Sequence, residues 1–229
     1  MKQFDQKKLI FFSRFTYCAI CEKWTDRQIL CWHCWLVLQK IDLDDLNIKG
    51  FQKNISFLVE LQNLFCLFFF EKKHPFSRIL YALKYKKRPD LGFLFGKILG
   101  FLIPRQNHNT FLVPVPLHKE REKERGYNQS SQIAQGISLA TGLPIMEHWV
   151  ERQINTQTQT QRNISDRLTN TYSIFNILEN PPNHAHLILL DDVFTTGSTI
   201  EALAMSFLEK NVTLSFSVAV LSYRGKNIF

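Results

Sequence analysis

Residues 187–199 read LILLDDVFTTGST, and the order of residue types in this stretch decides the fold. Leu187, Ile188, Leu189 and Leu190 form an unbroken apolar run, the pattern of a buried strand. Asp191 and Asp192 stand where that strand would end. Thr195, Thr196, Gly197, Ser198 and Thr199 make a small hydroxyl-rich turn. Ile200, Leu203, Ala204, Phe207 and Leu208 then recur at helical spacing. A strand, a Gly/Thr/Ser turn and a helix N-terminus together make an anion site, because the unpaired amides of the first turn point outward and the helix dipole favours negative charge. The two carboxylates beside it would repel bare phosphate. They suit sugar hydroxyls, or a divalent cation that itself holds phosphate. The order of residues therefore points to a ribose beside a nest for its 5'-phosphate.

The rest of the chain alternates strand and helix patterns. The segment 111–115 is a short apolar strand, and 128–141 is a helix burying Ile133, Ala134, Ile137 and Ala140 before Gly142. Ile79, Leu80 and Leu83 form the inner face of a helix after Pro75. Asp90 is the expected N-cap of the next helix, with Leu91, Leu94, Phe95, Ile98 and Leu102 inward and Pro104 as its stop. Two apolar runs within 55–71, split by Gln62-Asn63, suggest a hairpin or strand pair. Residues 149–150, 172–177 and 213–221 read as further strands, and EREKER either as a solvated, salt-bridged turn or, from its place after a strand's carboxyl end, as part of a ligand site. Strands and helices in alternation predict βαβ units and a parallel sheet. Neither a P-loop nor a G-x-G-x-x-G after a strand is present, so ATPase and dinucleotide chemistry lack their main residues.

Composition sets the outer limits. The 229 residues, 45% hydrophobic and 21% charged, suffice for one sizeable α/β domain with a small appendage. The longest apolar run, 64–70, is far shorter than the roughly 20 residues a membrane-crossing helix needs. The N-terminal residues lack the apolar core of a signal peptide, so the expected location is the cytoplasm. The net charge of +8 is concentrated: residues 72–88 carry seven Lys/Arg and no acid. Such a run, ending in Lys84, Lys86, Lys87 and Arg88 with Tyr81 and Tyr85 among them, suits contact with single-stranded nucleic acid, or is simply a solvated face.

Four of the five cysteines fall in two knuckles, Cys18-Ala-Ile-Cys21 and Cys31-Trp-His-Cys34, nine residues apart. Two C-x-x-C pairs at this spacing bring four thiolates round one tetrahedral Zn²⁺. Disulfides are the competing reading, disfavoured in a reducing compartment, and His33 is a possible substitute ligand. A closed four-cysteine site is structural, folding a ribbon too short to bury a core of its own.

At this point a family resemblance enters. LILLDDVFTTGST resembles the phosphoribosyl pyrophosphate (PRPP) motif of type I phosphoribosyltransferases. The series of paired knuckles, ALKYKKR, VPVPLHKEREKERGYNQ, QTQRNISDR and DDVFTTGST resembles the ComF competence-protein family over nearly the whole chain. The resemblance implies a type I phosphoribosyltransferase-like parallel sheet flanked by helices, with a small N-terminal zinc ribbon. The expected division is residues 1–50 for the ribbon and connector and 51–229 for the phosphoribosyltransferase-like domain.

It also implies roles. Asp191 and Asp192 would be the catalytic acids, holding the ribose with Mg²⁺. Val193, Thr195, Thr196, Gly197, Ser198 and Thr199 would complete the PRPP site. Pro116, Leu117, His118 and Lys119 occupy the pyrophosphate-loop position, and Gln161, Arg162 and Arg167 lie in the flexible covering loop. PRPP-dependent transfer to an unassigned acceptor in DNA uptake is the implied activity. The alternatives are a single-stranded-DNA-binding protein whose PRPP site is a sensor or relic, and a nucleotide-salvage enzyme.

Overall fold

The computed structural model describes residues 17–25, 29–39, 59–69, 75–153, 174–210 and 213–223. Along the chain run α1 (Trp32–Gln39), β1 (Leu61–Phe69), α2 (Phe76–Tyr85), α3 (Pro89–Gly100), β2 (Thr110–Pro114), α4 (Lys119–Arg125) and α5 (Gln129–Thr141). A 3-10 turn (Glu147–Trp149), β3 (Val150–Arg152), β4 (Phe175–Ile177), β5 (Ala185–Phe194), α6 (Ser198–Leu208) and β6 (Leu214–Tyr223) follow. Four strands form one parallel sheet in the order β1-β6-β5-β2, and β3 and β4 make a separate antiparallel pair. The α/β class and the flanked parallel sheet expected from the sequence are present.

The apolar run of β5 explains the layering. Side chains alternate across a strand. Ile188 and Leu190 join the core formed by α2, α3, α5 and the cysteine knuckle, while Leu187 and Leu189 join the core beneath α6 and the β3–β4 pair. All four are fully buried, each contributing about 1.5–3 kcal/mol. The knuckle is part of the first core, because Cys18, Ile20, Leu30, Cys34 and Leu38 are buried in it.

Helices α3 and α5 approach more closely than their apolar spacing suggests. A Cβ at Gly96 would lie 2.2 Å from the Ile133 carbonyl oxygen, and one at Gly136 would lie 2.2 Å from that of Phe93. Rigid backbone stands on both sides, so no side chain larger than hydrogen fits. Glycine packing, not the expected leucine stripe, sets this interface, and Leu102 is exposed beyond the helix end.

Several local expectations are corrected. The described part of 55–71 is one strand, β1, and Gln62-Asn63 forms a register irregularity in it, not a turn. Asp90 lies inside α3 behind Pro89, with Arg88 at the N-cap, because proline takes the first helical position. EREKER is the body of helix α4. The His118 side chain accepts from the Glu120 amide at its start, and Gly126, with φ +81, ends it. Strand β5 continues through the acids to Phe194, because Asp191, Val193 and Phe194 still pair with β6.

Candidate functional site

The site begins where β2 leaves β5. Their register runs from Thr110↔His186 to Pro114↔Leu190, and a last bond runs from the Val115 amide to the Leu190 carbonyl. Among the described residues, β5 keeps only β6 as its strand neighbour from Asp191 onward, so the acids occupy an opened edge at the carboxyl end of a parallel sheet. Open α/β sheets place ligands at that end. The 116–118 segment departs from the same point into α4, which brings Pro116, Leu117, His118 and Lys119 to this end of the sheet as well. Three residues past β5, Gly197 takes φ +78 and turns the chain into α6, whose N-cap position has no side-chain cap. Thr196 Oγ1 and Ser198 Oγ lie 3.1 Å apart across that turn. Thr195, Thr196 and Ser198 are exposed, Thr199 is half-buried, and Val193 packs against the α2–α3–α5 core.

The acids are held differently. Asp191 Oδ1 accepts from the Asp192 amide at 2.8 Å and from Ser130 Oγ at 3.4 Å. Asp192 Oδ2 meets Lys84 Nζ at 2.9 Å. Burial, and then the neighbouring Asp192 charge, push the Asp191 carboxyl up to about 7, against the pull of its hydrogen bonds and of Lys84. One acid is thus paired with a cation, and the other keeps its proton to neutral pH. Environments that separate two adjacent carboxyls mark functional sites.

The GYNQS stretch assembles this geometry. Gly126 ends α4, and the Tyr127 hydroxyl donates to the Leu83 carbonyl. Asn128 caps α5 through the Ser130 amide and donates to the Val115 carbonyl at 3.0 Å. The cap fastens α5 to the end of β2 and aims Ser130 at Asp191. The same α2 that Tyr127 grips carries Lys84. Lys84 and Ser130 were not legible as partners of the acids, although Lys84 sits four residues after buried Leu80, on the apolar side of its helix. That position is the signal.

The basic run is divided by the fold. Lys84 turns to Asp192, Lys86 pairs with Glu22, and Arg88 donates to both oxygens of Asp90. Lys87, with φ +50, is exposed. Tyr81 and Tyr85 are exposed with ring centroids 5.1 Å apart. Gln161, Arg162 and Arg167 lie outside the described residues.

The four cysteines expected to bind metal come together at the knuckle, with all Sγ atoms within 4.8 Å of one another. Cys21 and Cys31 Sγ are 3.7 Å apart. A tetrahedral Zn²⁺ with Zn–S of about 2.3 Å places sulfurs about 3.8 Å apart, so the donor set fits a structural zinc. All four are free thiols, unlinked by disulfides. Burial opposes ionisation at Cys18, but backbone donors outweigh it and bring the thiol down to about 7. Cys34 is pushed up by burial and the neighbouring thiols. The knuckle is tied to α2 by Arg78, whose Nη1 donates to the Ile20 carbonyl at 3.2 Å.

No protein-family model matches the chain. It is similar to competence protein ComFC of Bacillus subtilis, 35% identical over 130 residues, which cover 57% of this chain and 49% of that protein. It is 30% identical over 140 residues to the DNA utilization protein YhgH of Escherichia coli K12, covering 58% and 61% of the two. Competence protein F of Haemophilus influenzae is 28% identical over 138 residues. Over these segments the chain is similar to proteins named for competence and DNA utilization. The match spans about half to three-fifths of these relatives' lengths. No helix among the described residues is long and apolar enough to cross a membrane.

Proposed function

We propose that the chain binds PRPP with Mg²⁺ at the carboxyl end of β5 and serves DNA uptake, as the names of its relatives suggest, transferring the phosphoribosyl group to an acceptor in the cytoplasm. The observation that carries this reading is the placement of Asp191 and Asp192 on the opened edge of β5, immediately before the Gly197 turn into α6. Asp191 and Asp192 hold the ribose hydroxyls, the Thr195–Thr199 turn takes the 5'-phosphate on backbone amides and hydroxyls, and Pro116, Leu117, His118 and Lys119 lie against the diphosphate. In the transfer, the bond from ribose C1 to diphosphate breaks as C1 bonds to the acceptor, which loses a proton. Bound Mg²⁺ would stabilise the charge on the departing diphosphate, and the acids stand near the positive charge that develops on the sugar. Residues 1–50 act as a zinc-held ribbon and 51–229 as the PRPP-binding part.

Calorimetry of PRPP with and without Mg²⁺ tests the reading. Wild type binds, and Asp192→Ala weakens binding about ten- to hundredfold, the cost of losing a charged contact to ligand. Equal affinity in both proteins overturns it.

A second reading, single-stranded-DNA binding with the PRPP site as a sensor, is supported by the exposed rings of Tyr81 and Tyr85 beside Lys86 and Lys87. Tyr17, Trp24 and Trp32 are exposed on the knuckle as well. Aromatic faces among cations suit base stacking. A salt titration with labelled oligonucleotide tests it: Lys86→Ala with Lys87→Ala reduces both affinity and salt slope, and no binding at low salt rejects it.

A further inference from the structure

Helix α2 is fixed from two directions. Phe76, Ile79, Leu80, Ala82 and Leu83 are buried along one face of it. On the knuckle side, the Arg78 guanidinium donates to the Ile20 carbonyl at 3.2 Å, and Lys86 pairs with Glu22. On the other side, the Tyr127 hydroxyl donates to the Leu83 carbonyl, one residue before Lys84. The Lys84 backbone therefore has little freedom, and what moves is its flexible four-carbon stem. That stem carries the ammonium to Asp192 Oδ2 at 2.9 Å, with both side chains drawn in from solvent.

The contact ties the fate of two charges together. Asp192 follows Asp191 directly, so without Lys84 two acids crowd one strand edge. Lys84 without Asp192 is in turn a half-buried ammonium that has lost its carboxylate. Breaking a drawn-in ion pair costs most when one partner is left uncompensated. A ligand bringing only hydroxyls takes Asp192 and strands Lys84. A ligand bringing only an anion draws off Lys84 and strands Asp192. A ligand bringing both replaces each half of the pair at once, which is how charge complementarity discriminates among ligands.

We propose that Lys84 is an exchangeable counter-ion that selects ligands carrying donor hydroxyls and an anionic group together. On binding, Asp192 passes from the ammonium to the sugar hydroxyls, and Lys84 turns to the ligand's phosphate. This deepens the PRPP reading and rests on it for the class of ligand, a sugar phosphate. Lys84 then determines specificity, because a neutral sugar and a bare phosphate each bind against the pair. The knuckle serves the site at a distance by holding the helix from which Lys84 reaches.

Calorimetry, with ligand-observed NMR for weak binders, tests the exchange on ribose 5-phosphate, ribose and inorganic phosphate without added divalent cations. Circular dichroism and zinc content verify that each variant folds. Lys84→Met weakens ribose 5-phosphate about tenfold, the cost of one charge-assisted bond. Ribose binds the variant no more weakly than wild type, and inorganic phosphate stays within about twofold, since neither ligand replaces both halves of the pair. Lys84→Arg keeps most of the affinity for ribose 5-phosphate, because the charge is retained. Unchanged ribose 5-phosphate affinity in Lys84→Met overturns the exchange. So does an equal loss for phosphate, which marks a general field, or for ribose, which marks a fixed support for Asp192. PRPP with Mg²⁺, titrated into wild type, separates the two claims. PRPP binding without the Lys84→Met pattern overturns the exchange and leaves the PRPP reading standing. The pattern without PRPP binding does the reverse, and binding of none of the probes rejects both.

Discussion

The cysteine knuckle and the acidic end of β5 both gather groups that repel or crowd one another, and they solve the problem in opposite ways. At the knuckle, four thiols lie within 4.8 Å of one another, two of them buried. One small divalent ion completes that set and leaves no open position. At β5, Asp192 meets the Lys84 cation and Asp191 accepts from Ser130 Oγ. Charges of both signs are already there, and the strand edge beside them is open. A cluster that a single ion closes holds structure, whereas a cluster balanced by movable side chains is ready to exchange them for a ligand.

The largest effect that separates the two is removal of metal. Purified protein holds one zinc per chain, and a strong chelator, or Cys34→Ser, lowers Tm by about 10 °C or more. Knuckle residues bury their side chains in the same core as α2 and α3, and metal-site free energy is folding free energy. The β5 acids call for no resident metal, so Asp191→Asn with Asp192→Asn leaves zinc content at one per chain. Absence of zinc, or an unchanged Tm after chelation, removes the contrast.

A smaller effect tests whether Lys84 balances the dyad. The Lys84 side chain is 27% exposed and that of Asp192 10%, so the pair is only partly screened. Lys84→Met alone leaves Asp192 beside Asp191 without its cation and destabilises by about 1–3 kcal/mol. Adding Asp192→Asn restores part of this, giving a coupling of about 1 kcal/mol in a urea-denaturation cycle. Strictly additive losses mean that the contact contributes nothing.

The parts of both clusters that were legible in the sequence are those written locally. The C-x-x-C spacing, the buried run 187–190 and the Gly142 stop each depend on neighbours within a few residues. What was not legible depends on which helix meets which. Gly96 and Gly136 read as ordinary glycines until α3 and α5 touch there. Lys84 read as one cation in a basic run, although its helix turns it to a carboxylate more than a hundred residues away. Arg88 differs, because the acid that takes it, Asp90, stands only two residues along the chain. Arg121 was singled out with the other charges of EREKER, but its inward stripe with Arg125 shows only once the hexamer is known to be helical. The acids were placed at the strand's end; pairing with β6 carries the strand past them, and only the departure of β2 makes the edge.

The smallest effect sharpens the difference between the two acids themselves. A free-chain aspartate titrates near 3.9, whereas Asp191 is raised to about 7, first by burial and then by the Asp192 charge. Between about pH 4 and 7 the folded chain holds a proton that the unfolded chain has released. The contribution of this group to stability is thus fully present below pH 4 and lost as pH rises through 7. Asp191→Asn does not titrate, and its amide oxygen can still accept from Ser130 Oγ and the Asp192 amide, the two bonds that Oδ1 makes. Relative to wild type, its Tm therefore rises between pH 5 and pH 8, by about 2–4 °C for each kcal/mol recovered. Parallel Tm profiles for wild type and Asp191→Asn would mean that Asp191 is already ionised at pH 5, and that the two acids are alike.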